Sequence, residues 1–102
     1  MEPLHKAVYI YNLVMSSDED KYLAELGKSL KNLRQTLTKK SLRLLAYEAG
    51  IPHSTLSRLE RGERMASIIT LKRLSFAFNM NIGQFINKLE ENIPEKIKNF
   101  DV

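Results

Sequence analysis

The stretch Gly50-Ile51-Pro52-His53-Ser54-Thr55-Leu56-Ser57-Arg58-Leu59-Glu60-Arg61-Gly62 leaves this chain few ways to fold. A glycine closes each end, and eleven residues lie between them. That length holds one short helix, because glycine serves as a left-handed helix exit and Pro52 suits a first helical turn, where a missing N–H costs nothing. Leu56 and Leu59, three apart, supply a single apolar face. His53, Ser54, Ser57, Arg58 and Arg61 are left on the other side.

The residues before the stretch predict a second short helix. Ser41 is its cap, and Leu42, Leu45, Ala46 and Ala49 follow the i, i+3, i+4, i+7 pattern. Gly50 ends it, so Ala49-Gly50-Ile51 is a tight reversal between two short helices. Such a pair braces one helix across a polynucleotide backbone while the second enters the major groove. The outer residues of the second helix are hydrogen-bonding and neutral or cationic, which suits base edges and phosphates.

The rest of the chain reads as helices joined by short turns. Ser16 with Glu19 forms a capping box, and Asp18, Glu19 and Asp20 complement the dipole of a helix starting there. Leu23, Leu26, Leu30, Leu33 and Leu37 mark its apolar face, with Lys28, Lys31 and Arg34 off the stripe. Those cations read equally as solvated surface or as phosphate contacts. Thr36 to Lys40 is a turn. Ser67 caps a fourth helix with Ile68, Leu71, Leu74, Ala77 and Phe78 inward, and Asn79 can take its left-handed exit. Asn81 and Gln84 form a capping-box variant opening a fifth, striped by Ile82, Phe85, Ile86, Leu89 and Ile93. Pro94 stops that run or starts a last turn, and residues 95–102 form a charged tail holding Ile97 and Phe100. Residues 1–15, with Val8, Ile10 and two tyrosines in an apolar run, suit a strand, which would pair with a second copy or pack on the helices, or else an extra helical turn. The division expected is an N-terminal arm over 1–15, a domain over 16–93 and a tail over 94–102.

Composition limits the functions. The chain has 102 residues, a net charge of +4 and no cysteine. A basic balance favours an anionic partner, though weakly. Absence of cysteine removes disulfides and thiolate metal sites and points to a reducing cytoplasm. Two histidines, His5 and His53, make no ligand set, so no metal and no cofactor is expected. No apolar run approaches the roughly 20 residues of a membrane span, and no small-residue cleavage site follows the run at 7–15. A Ser–His–acid set, a glycine-rich phosphate loop and a paired acidic cluster are all missing, so an enzyme is not expected.

The run Leu45-Ala46-x-x-Ala49-Gly50-Ile51-x-x-Ser54-Thr55-Leu56-Ser57-Arg58-Leu59-Glu60-Arg61-Gly62, continued by Ser67-Ile68-x-Thr70-Leu71 and Asn81-Ile82-x-x-Phe85, resembles the lambda-repressor-like, or XRE/Cro-repressor, helix-turn-helix family over about residues 22–89. The resemblance implies an all-α, five-helix domain and a DNA-binding transcriptional regulator, a homodimer on a palindromic operator with helix 53–61 in the major groove. Its half-sites would lie about 34 Å apart. It implies base reading by His53, Ser54, Ser57 and Arg58. Phosphate contacts are expected from Lys39, Lys40, Ser41, Thr55, Arg61 and Arg64, although Arg61 and Arg64 also read as a loop neutralised by Glu60 and Glu63. Arg34 and Glu60 match a pair that is structural in the family. The surplus apolar residues Ile86, Leu89 and Ile93 are the expected dimer surface, unless the arm or the tail covers them within one chain. No room is left for a separate ligand-sensing or protease domain.

The sequence also departs from the family pattern. Leu42 stands where glutamine is common, removing one phosphate contact that Lys39 and Lys40 can replace. The turn from Leu33 to Ser41 is one residue longer than usual. Pro52 replaces a capping Ser or Thr, and Ala66 a frequent proline. Leu44, Ile69 and Phe76 are apolar where the family is polar, which suggests an interface. The alternative function is therefore a protein-partner-binding module, antitoxin-like or accessory, on the same fold.

Overall fold

In a computed structural model the backbone is described over residues 2–100 and side chains over 18–100. The regular elements among the described residues are all helices: α1 (Glu2–Leu33), a π-helical turn (Arg34–Thr38), α2 (Leu42–Ala49), α3 (His53–Glu60), α4 (Ile68–Ala77), α5 (Ile82–Glu90) and α6 (Glu95–Lys98). The first helix does not begin at Ser16; its backbone is continuous from Glu2. The choice of contacts for residues 1–15 concerns side chains outside the described residues.

One core organises α1 to α5. Leu30 and Leu33 of α1 meet Leu45, Ala46 and Ala49 of α2, Leu56 and Leu59 of α3, Leu74 and Phe78 of α4, and Phe85 and Leu89 of α5. Leu45, Leu56, Leu74 and Phe85 are fully buried. The Phe78 and Phe85 rings lie 5.1 Å apart, inside the range of a favourable aromatic pair.

The extra residue between Leu33 and Ser41 is absorbed by the π-helical turn. Lys39 N–H donates to Arg34 O at 2.9 Å, an i to i−5 bond, and Lys39 then leaves in the left-handed conformation at φ 57°. A π-bulge adds one residue to a helix without breaking it. It also rotates Leu37 off the stripe, and that side chain is half exposed rather than core.

The caps follow the sequence closely. Ser41 and Ser67 each accept from the backbone N–H three residues on, and Asn81 with Gln84 forms the full reciprocal box. Each such cap contributes about 1 kcal/mol. Asn79 takes the left-handed exit from α4 at φ 59°. Pro52 is different: it is the N-cap of α3, not a residue of its first turn, and offers no capping side chain. Pro94 likewise starts α6.

Two further assignments are corrected. Ile68 is 66% exposed, because it sits at the first residue of α4, ahead of the turn that reaches the core through Leu71 and Leu74. Leu89 and Ile93 are buried within the single chain, at 1% and 4% exposure, so they are not a free dimer surface. Leu89 joins the core, and its carbonyl accepts from Ser29 Oγ of α1 at 2.5 Å. Of the three, only Ile86 keeps an open side.

Candidate nucleic-acid interface

The α2–α3 turn is built on Gly50, which ends α2 at φ 71° and donates to Tyr47 O. Ile51 N–H donates to Ala46 O at 3.0 Å, closing the helix, and buries its side chain. Arg73 of α4 donates to Gly50 O at 2.9 Å. A third helix thereby pins the reversal that sets the angle between α2 and α3.

The far end of α3 is pinned from α1. A Cβ on Gly27 would lie 2.6 Å from the carbonyl oxygens of Leu59 and Glu60, so the two helices can approach only over a glycine. Arg34 donates to Glu60 through Nε at 2.7 Å and Nη2 at 3.0 Å. Its Nη1 donates to Lys40 O at 3.1 Å, tying in the loop before α2. Both partners are buried. The hydrogen bond to Glu60 pushes the guanidinium pKa further above its ordinary value, against burial, so the charge stays on. The pair links α1, the loop before α2 and α3, and it is the structural pair that the family pattern implied.

On this frame α3 turns Leu56 and Leu59 inward and leaves His53, Ser54 and Arg58 exposed, with Thr55 and Ser57 half-buried. Arg61 donates to Ser57 Oγ at 2.6 Å and to Glu63 at 2.6 Å. Glu63 in turn is held below the usual carboxylate range by Arg61. Arg61 is therefore compensated within its own loop, as the alternating charges of residues 60–64 allowed.

Phosphate candidates separate into two groups. A cleft of about 250 Å3 is lined by Lys31, Arg34, Leu42, Ser57, Glu60 and Arg61. It brings the start of α2 against α3, and it adds Lys31, which the sequence left undecided between solvent and phosphate. Lys39 is exposed on the π-turn, and Ser41 caps α2 beside it. Lys40 pairs with Glu48 at 2.8 Å. Arg64 falls elsewhere: it lines a small crevice with Leu23, Leu26, Leu59 and Leu71, away from that cleft.

The helix-turn-helix family model matches residues 30–85, more than half of the chain. The chain belongs to the XRE-type helix-turn-helix family. It is a DNA-binding transcriptional regulator, not an enzyme. No curated protein matches it in sequence. Among solved structures it is similar to the restriction-modification controller protein C.AhdI from Aeromonas hydrophila, at 28% identity and a TM-score of 0.57 over 62% of this chain and 94% of that one. It is also similar in fold to the clp gene regulator ClgR from C. glutamicum, at 23% identity and a TM-score of 0.61, covering 72% of this chain and 95% of that one. No helix among the described residues is long and apolar enough to cross a membrane.

Proposed function

We propose that this regulator acts in the cytoplasm as a homodimer on a palindromic operator, with α3 of each subunit in a major groove. One observation carries the reading: α3 is a short helix anchored at both ends, by Arg73 through Gly50 and by Arg34 through Glu60, with an exposed polar face between the anchors. A rigid helix with that face can hold side chains in register with base edges. His53, Ser54, Ser57 and Arg58 read bases. Thr55, Ser41, Lys39 and Lys31 meet phosphate, while Lys40 and Arg61 must first leave Glu48 and Glu63. The test is selection from random duplexes by the purified protein. A symmetric site with half-sites one helical turn apart supports the reading; equal retention of all sequences at moderate salt overturns it, since phosphate contacts alone give no specificity.

A second reading rests on the face of α4 away from the core. Ile69 is 61% and Phe76 79% exposed, one above the other at i and i+7, with Lys72 and Arg73 between them. Leu44 and Tyr47 of α2 are exposed as well. That surface suits an accessory protein with an apolar face rimmed by acids. Loss of a co-purifying partner on Phe76→Glu, with DNA binding intact, would support it.

A further inference from the structure

An apolar groove of about 340 Å3 opens on the side of the molecule formed by α1, α5 and the start of α4. Tyr22, Leu23 and Leu26 of α1 form one wall, Leu71 and Ile86 the opposite one, and Met65 and Phe100 the rim. Glu19 is its one charged lining residue. The Tyr22 hydroxyl is committed to Glu90 at 2.6 Å, and the Tyr22 ring rests 5.6 Å from that of Phe100. Met65 on its rim is 65% exposed.

From the homodimer reading, we infer that this groove receives residues 1–15 of a second copy, exchanged reciprocally about a two-fold axis. The segment matches in chemistry: it runs Ala7-Val8-Tyr9-Ile10-Tyr11-Asn12-Leu13-Val14-Met15 without a charge, preceded by His5 and Lys6. Its apolar run suits the apolar walls. The same segment of the same copy cannot serve. The α1 backbone is continuous from Glu2 through the groove wall, so residue 8 lies about 21 Å along the axis from Tyr22. An antiparallel second copy runs back along α1 and brings its first residues past Tyr22 and Leu26. Such an interface is isologous, so each contact occurs twice and the buried area doubles.

The cysteine-free chain allows a direct test. Full-length Val8→Cys and Ile86→Cys are mixed, oxidised and run without reductant, alongside the double variant, with sedimentation of the unlabelled wild type. The expected result is a dimeric wild type, a disulfide-linked heterodimer in the mixture and linked dimers of the double variant. Met65→Glu, at an exposed site that leaves the fold alone, is expected to weaken dimerisation about tenfold or more by placing a charge against the apolar segment. A monomeric wild type overturns the proposal together with the homodimer reading. A dimer that forms no cross-link, closes the disulfide within one chain, or ignores Met65→Glu while Phe76→Glu dissociates it, overturns the groove and leaves the homodimer standing.

Discussion

Helices α3 and α4 bury themselves alike and face outward differently. Each turns leucines into one core, Leu56 and Leu59 from the first and Leu71 and Leu74 from the second. Outside, α3 offers His53, Ser54 and Arg58, whereas α4 offers Ile69, Lys72, Arg73 and Phe76. The inner faces decide the fold, and the outer faces decide the partners. Helix α3 is also held at its C-terminal end by a buried ion pair that α4 lacks among the described residues. A helix that must read a sequence needs its position fixed; a helix offering an apolar face needs only to be present.

The largest way to break this comparison is to release α3 alone. Glu60→Ala should cost about 3–5 kcal/mol, because Arg34 is left buried and charged without its partner. Urea denaturation checks this. Arg61→Ala, which removes an exposed pair, should leave the midpoint unchanged within error. Next, Leu56→Ala and Leu74→Ala should cost similar amounts, about 2–5 kcal/mol each, since both side chains are fully buried. A large gap between the two would show that the inner faces are not equivalent.

The outer faces should respond in opposite assays. Arg58→Ala is expected to lose about 1–3 kcal/mol of discrimination at one base position with stability intact. Competition binding against single-base operator variants measures it, and unchanged discrimination would remove Arg58 from the reading set. Ile69→Ser and Phe76→Ser should change stability by about 0.5 kcal/mol or less, because both side chains are already in water. Their thermal midpoints check this, and a clear drop would mean that the α4 face is covered.

Much of the site was legible because its signals are local. The glycine breaks at 50 and 62, the caps at Ser41, Ser67 and Asn81 and the leucine spacing of α3 each depend on neighbours a few residues away. The family pattern supplied one long-range contact, the Arg34–Glu60 pair. What local spacing misjudged was depth. Ile82, Ile86, Leu89 and Ile93 lie on one stripe, yet Leu89 and Ile93 are buried while Ile86 lines an open groove. Periodicity gives the direction of a side chain around its own helix and says nothing of what the next helix covers. Ile68 was misplaced because it opens α4 ahead of the turn that reaches the core, and Leu37 because the π-turn rotates it off its stripe.

From the sequence alone came the helical fold, the reversal at Gly50 and the polar set on α3, since each follows from backbone preferences and spacing within one or two turns. Only the tertiary structure decided that Gly27 lets α1 reach the carbonyls of α3, that Arg73 holds the turn, that Lys31 joins the cleft between α2 and α3, and which apolar residues remain outside. Those depend on how distant segments meet, and close packing of whole helices, not the preference of any one of them, sets that distance.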